Sequence, residues 1–463
     1  MKAAVARQES ARVTMGFSET MTARLYRPEM TDPSLLARQW VVHSLMDWMA
    51  VSVAGADEEV TRIVLDVLAS EGNHPVSSVV GSREQLSAAN AAFVNAVSSH
   101  SQDYDSSNLW SLGHTMTSVA ASAIAFGEEL DCSGRELQTA ILRGTEAASI
   151  VGLATANLRK SRGLHLTGYS GAFGAAAACV SLMGLDKNLM LQSMGLAATQ
   201  AAGLRAVFGT MGKSLNAGTP ARNGVLTAKM VAAGFTGPEE AITGPSGYAR
   251  AYAIDFSAER PGEVMGDRAG IQATIFKFHS NCHGIHAVMD AIATLMQNEK
   301  FSHEHVNEVI LTVPIGVLSL CPFHDPASET EAQFSVPHAV ALVLAGRSTG
   351  PGGFTHQMLN DPLLKRLRQK VKVRPSSSDT AVDCPAEILV VLVDGRQIRV
   401  WSASLSPVAD TDLPRQFRRL EAKFMRLAEP VIGKEKAGLL LEAIIGLESL
   451  ASVRDLGELM RGS

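Results

Sequence analysis

Three polar segments interrupt the apolar first half of this 463-residue chain, and each carries side chains able to move a proton or hold an anion. The first, HSQDYDSSNLWSLGH over residues 100–114, contains Asp103, Asp105 and His114. The second places His165 just ahead of a run of small residues, LTGYSGAFGAAAAC. Histidine titrates near neutrality with an ordinary pKa of about 6.5, so it can both take and return a proton in one cycle. The third segment, GTMGKSLNAGTPARNG over 209–224, sets Lys213 in a Gly/Thr/Ser-rich stretch. The expected helix starts near Pro220, so Lys213 and the free amides before it would favour a carboxylate or phosphate. A nucleotide loop is excluded, because GxxxxGKS needs glycine at 207 and Val207 stands there.

A later segment, FKFHSNCHGIH over 276–286, spaces His279, Cys282, His283 and His286 so that a regular helix would gather all four on one face. That is a metal-ligand pattern, and zinc hydrolysis is its rival reading. Gly284 interrupts the helix this would require.

Together the four segments, in this order, resemble the MmgE/PrpD family, whose patterns run HxxDFDD…HP, GxHxTG…GAAAAAxxLLGL, GTxxKPxHxGxAARNG and FKxxxxCxxxH. The resemblance implies a mainly helical body, an α+β lid, a homodimer, and a cleft between body and lid that works without metal or organic cofactor on small di- or tricarboxylates. It carries catalytic roles to Asp103, His114, His165 and Lys213, and substrate-binding roles to Ser107, Lys277, Cys282, His286 and Arg205, with Arg222 a further candidate. Lys213 would clamp a carboxylate, His114 or His165 would transfer the proton, and Asp103 would orient a histidine. Of the fourth segment, His286 is expected nearest the cleft. Family members include 2-methylcitrate dehydratases, cis-aconitate decarboxylases and iminodisuccinate epimerases.

The chain departs from these patterns at Ser106, which replaces an acid, and at Thr115 and Ser214, which replace prolines. Asn216 stands where the family has histidine. After Pro314 the chain reads IGVLSL, without the tyrosine of the animal decarboxylases, and RGLHLTG is unlike the methylcitrate dehydratase form. Dehydration of a hydroxy-polycarboxylate by α-proton abstraction is therefore the first expectation, with epimerisation of an amino-dicarboxylate and decarboxylation as alternatives. A catalytically inactive binding or scaffold protein is the alternative of another class.

The elements that must position these residues follow from pattern. Residues 32–247 show apolar side chains at three- and four-residue spacing, punctuated by glycine and proline. Ser133 with Glu136 forms a capping box, Gly184 marks a helix stop, and Asp186 caps the next helix. From about residue 276 the pattern changes. VNEVILTVP and AEILVVLVD are β-branched strands, the second turning at Asp394-Gly395 into a hairpin. Helical spacing returns after 405. The expected architecture is a mainly α protein, a helical bundle over 1–270 and 405–463 with an α+β unit over 271–404 inserted.

Composition excludes other classes. A net charge of −5 without a basic block argues against nucleic-acid binding. No apolar run approaches the ~20 residues of a membrane span, and residues 1–18 lack a secretory core. Cytoplasmic location is expected, with the arginines of residues 1–18 giving an organellar-targeting alternative to a loose arm. Five scattered cysteines without a CxxC pair read as reduced thiols.

Overall fold

The computed structural model describes residues 16–462 except 73, 157–162, 253–254 and 377–383. Most of the N-terminal arm and Arg162 lie outside the described residues. The protein is mainly α, 62% helix and 8% strand.

The helices of the first body include α1 (Leu35–Ala54), α2 (Ala88–Ser101), α3 (Thr115–Leu130), α4 (Gly134–Ala154), α5 (Leu166–Leu182), α6 (Lys187–Gln200) and α7 (Gly212–Ala232). Helix α5 runs through the middle and packs on α3, α4 and α7. Its small residues are what allow this. A Cβ on Gly174 would stand 3.0 Å from the Gly144 carbonyl oxygen of α4, and one on Gly224 of α7 would stand 2.6 Å from the Ala175 carbonyl carbon. Local signals act as the sequence implies. The Ser133–Glu136 box closes at both ends, the Asp186 carboxylate accepts from Asn188 and Leu189, and Gly184 takes a left-handed φ of 63° where α5 stops.

The second body surrounds its own apolar core, drawn from residues between Cys282 and Leu392. It contains α8 (His286–Asn298), α9 (Ile315–Leu320) and α10 (Val336–Leu344), and four strands, β1 (Val306–Val313), β2 (Val371–Pro375), β3 (Glu387–Leu392) and β4 (Gln397–Trp401). The sheet order is β2–β1–β3–β4, with β2 parallel to β1 and the other pairs antiparallel. The β3–β4 hairpin turns where expected, with Gly395 at φ 90°. Strand β2 escapes sequence analysis because only Val371 of its five residues is buried, so no alternation marks it.

The chain then returns. Helix α11 (Leu413–Ile432) packs along α1, and α12 (Lys434–Ile445) packs on α11, closing the core of the first body. One expectation is corrected. Helix α7 begins at Gly212, not near Pro220, which lies inside it. Lys213 therefore sits in a first helical turn.

The close approach of α5 and α7 predicts opposite outcomes for two glycines. Gly224→Ala forces backbone apart and should cost about 1–3 kcal/mol. Gly438→Ala in α12 meets open space and should add about 0.5–1 kcal/mol. Urea denaturation of the two variants checks both signs.

Candidate functional site

Three helix starts meet at a cleft of about 400 Å³ between the two bodies. His114 precedes α3, His165 precedes α5, and Lys213 lies in the first turn of α7. The first two are tied together, since the His114 amide donates to Thr167 Oγ1 at 3.2 Å. A Cβ on Gly113 would stand 2.8 Å from the Thr167 nitrogen, so only glycine lets these turns approach so closely. Segment 163–165 is pinned from the other side, where the His165 amide donates to Gly203 O and the Arg205 amide to Gly163 O.

Charge at the cleft is organised around Asp103, on a left-handed backbone with φ 47°. Its Oδ1 accepts from Lys213 Nζ at 2.8 Å and lies 3.1 Å from Lys277 Nζ, while its backbone oxygen accepts from Lys277 at 2.7 Å. Both lysines are buried. Burial pushes the Asp103 carboxyl up, but the two ammonium groups outweigh it and hold the group far below the usual carboxylate range. One carboxylate thus faces two cations.

Asp105 organises the histidines. Its Oδ2 lies 3.0 Å from His100 Nδ1 and 2.9 Å from His114 Nδ1. His114 Nδ1 is also 3.1 Å from the Ser106 carbonyl oxygen. Both neighbours of that nitrogen are acceptors, so Nδ1 carries the hydrogen and Nε2 is left for the cleft that His114 lines. His100 is different, because its Nε2 already accepts from Lys213 Nζ at 3.0 Å. Burial and the Lys213 charge outweigh Asp105 and lower His100 to about 4, which keeps it neutral. The expected pairing of Asp103 with a histidine is corrected: Asp103 belongs to the lysines, and Asp105 orients the rings.

The remaining expected residues divide. Ser107 lines the cleft and its hydroxyl lies 3.1 Å from His283 Nδ1. Cys282 and Lys277 line it from the 276–286 segment, and Arg205 reaches over it to the Ser319 carbonyl at 3.1 Å, joining the body to α9. His286 does not line this cleft. It faces a second cavity with His279 and Arg419, and its Nε2 lies 3.2 Å from the Asn281 carbonyl oxygen. The four-ligand helix of the rival metal reading is not formed, because Cys282 is extended, His283–Ile285 is a 3-10 turn and α8 starts only at His286. Among the described residues, the trio whose ligand atoms come within 4.8 Å of one another is His100, Asp105 and His114. The amides at the start of α7 are also taken: Lys213 and Ser214 donate to Thr210 and Met211 carbonyls, so the lysine rather than a loop of free amides supplies the positive charge.

Sequence analysis missed the support behind the site. Lys423 of α11 donates to Asp47 of α1 at 2.7 Å and to the carbonyl oxygens of Tyr104 and Lys277 at 2.8 and 2.9 Å. Asp47 also accepts from the Ser106 amide at 3.1 Å. This buried pair fastens the backbones of the first polar segment and of the 276–286 segment to the core. Its signal was a lone aspartate inside the apolar run SLMDWMA, a charge with no reason to be there unless paired.

The MmgE/PrpD N-terminal domain matches residues 21–261 and the MmgE/PrpD C-terminal domain residues 279–447. The chain belongs to the MmgE/PrpD family. Curated relatives of this MmgE/PrpD protein include the cis-aconitate decarboxylase of Mus musculus, 26% identical over 90% of this chain and 88% of the relative. The Homo sapiens enzyme of the same name is 24% identical over 90% and 89%, and that of Aspergillus terreus 24% over 82% and 83%.

Neutral buried histidines predict a pH dependence of folding. His43, His100 and His338 are each lowered to about 4, and burial drives His165, His283 and His286 well down. Unfolding lets them return to about 6.5, so between pH 6.5 and 4 the unfolded chain binds more protons and stability falls as pH falls. Asp47 and Glu128, both raised by burial, act in the opposite direction but are fewer. Urea midpoints should drop steadily below pH 6.5, and a flat profile down to pH 4.5 would contradict this assignment of neutral rings.

Proposed function

We propose that this MmgE/PrpD protein is a lyase that acts on a small di- or tricarboxylate, using Lys213 and Lys277 to hold a carboxylate and His114 to move a proton at the carbon beside it. The observation that carries this reading is the two-lysine arrangement on Asp103. An ammonium has three donors. Lys213 uses one on Asp103 and one on His100, and among the described residues Lys277 Nζ meets Asp103 alone, at its carboxylate and its backbone oxygen, so each keeps a hydrogen for an incoming anion. These ammonium groups sit in a low-dielectric pocket, where each attracts a carboxylate more strongly than a solvated lysine would.

His114 supplies the proton chemistry. Asp105 fixes its tautomer and stabilises the imidazolium that forms when Nε2 accepts a proton. In the decarboxylating direction, suggested by the likeness to cis-aconitate decarboxylases over 90% of this chain, His114 Nε2 first takes a proton from solvent; the bond to one carboxylate breaks, CO2 leaves, and the electron pair left on carbon takes that proton from the imidazolium. In the dehydrating direction His114 Nε2 takes the α-proton, and the imidazolium so formed gives that proton to the departing hydroxyl, which leaves as water. Two observations favour this second reading. Asp103 Oδ2 is a buried acceptor without a protein partner, suited to a substrate hydroxyl. Helix α9 lines the cleft with Ile315, Gly316, Ser319 and Leu320, and offers no tyrosine.

Incubation with cis-aconitate and with a 2-hydroxytricarboxylate in deuterated water, followed by NMR and CO2 detection, separates the routes. Decarboxylation releases CO2 with one deuterium incorporated; dehydration generates an alkene without CO2; epimerisation gives exchange alone. In whichever reaction runs, His114→Gln should lower kcat about 10²–10⁴-fold, while Lys213→Met should raise KM. Full turnover in both variants, or no turnover of any polycarboxylate by the wild type, would overturn the proposal.

A further inference from the structure

His165 lines the same cleft, yet nothing in the arrangement above says which of its ring nitrogens carries the hydrogen. Its Nδ1 lies 2.8 Å from Asn216 Nδ2. The orientation of that amide is decided by a second neighbour, the Leu204 carbonyl oxygen, 3.4 Å from the same Nδ2. A carbonyl oxygen can only accept, so the amide end facing it is the NH2 end. Asn216 Nδ2 then donates to His165 Nδ1, which must be the unprotonated nitrogen, and the ring hydrogen is on Nε2.

The rest of the pocket holds the ring in this state. His165 is 5% exposed, its face lies against His100 at 5.9 Å between centroids, and Phe208 meets it edge-on at 4.9 Å. Burial first, then repulsion from His100, Lys213 and His114 in their protonated forms, opposes a second proton, while Asp103 favours one. His114 and His165 thus face one cleft with opposite hydrogen-bonding character. Asp105, an acceptor, makes His114 a ring whose Nε2 can accept; Asn216, a donor, makes His165 a ring whose Nε2 donates.

We propose that Asn216 is a positioning residue that fixes His165 as the neutral Nε2–H tautomer, so that this ring serves as a hydrogen-bond donor to a substrate carboxylate and not as a base. The carboxylate in this statement rests on the lyase reading above; the tautomer does not. Position 216 is where the family pattern places histidine, whose ring could present either a donor or an acceptor to His165. Asparagine, held by Leu204, presents the donor.

Nitrogen-15 NMR of histidine-labelled protein reads the tautomer directly, with His165→Gln identifying the signals. The wild type should show His165 protonated at Nε2 and bare at Nδ1. Asn216→Asp, which replaces the donor by an acceptor, should move the hydrogen to Nδ1. Asn216→Leu, uncharged and similar in size, should release the tautomer and weaken binding of tricarballylate, an unreactive tricarboxylate, by about three- to tenfold. A wild-type ring protonated at Nδ1, or an Asn216→Asp ring still protonated at Nε2, overturns the proposal. Unchanged tricarballylate affinity in Asn216→Leu overturns the donor role. Should the wild type turn over no polycarboxylate, the lyase reading falls while the NMR result stands by itself.

Discussion

A single buried carboxylate shared by two buried lysines governs this site. Removing charges from water is expensive, and a buried pair recovers that cost only with good geometry and further hydrogen bonds. Here Asp103 receives both ammonium groups, Lys213 is also bonded to His100, and Lys277 is also bonded to the Asp103 backbone. Among the described residues Asp103 Oδ2 has no hydrogen-bond partner, and each lysine keeps one donor unused. Those unused donors are what the proposed substrate carboxylate would meet.

Everything around Asp103 serves to hold this state. The residue lies in a left-handed turn between α2, whose last turn carries His100, and the strand pair Ser107–Asn108 with Thr274–Ile275. That pair brings the 276–286 segment, and with it Lys277, against the first polar segment. From behind, the Asp47–Lys423 pair joins the two backbones to α1 and α11, so the returning C-terminal helix braces the site without entering the cleft. Loss of either partner would leave a buried charge uncompensated, a change that typically costs about 3–5 kcal/mol. The small-residue tract of α5 has a quieter part. It draws α3, α4 and α7 close enough that three helix starts converge, and His114, His165 and Lys213 come with them.

Much of this was legible in the chain because the relevant signals are local. Capping residues, the Asp-Gly hairpin and apolar spacing act over three to six positions, and the body, the inserted α+β unit and the returning helices follow from them. The polar segments also stood out, since charges between apolar helices need a reason. What could not be read were choices made across long sequence separations. Which aspartate meets which partner is decided across the fold: Asp103, expected to orient a histidine, meets Lys213 and Lys277, and Asp105 meets the rings. His286 follows the same logic. Its spacing fits a helix that Cys282, in extended conformation, never allows, and the ring is directed into the neighbouring cavity. Lys423 lies 376 positions from Asp47, and no motif links them.

In the proposed function two neighbouring histidines do different work through their partners, His114 through Asp105 and His165 through Asn216, and the lysines supply the anion site. The most direct test is a crystal structure of the protein with a bound unreactive tricarboxylate. It should show one carboxylate within hydrogen-bond distance, about 2.7–3.2 Å, of both Lys213 Nζ and Lys277 Nζ, with His114 Nε2 facing the adjacent carbon. A ligand bound in the second cavity, or one whose carboxylates contact neither lysine, would contradict it.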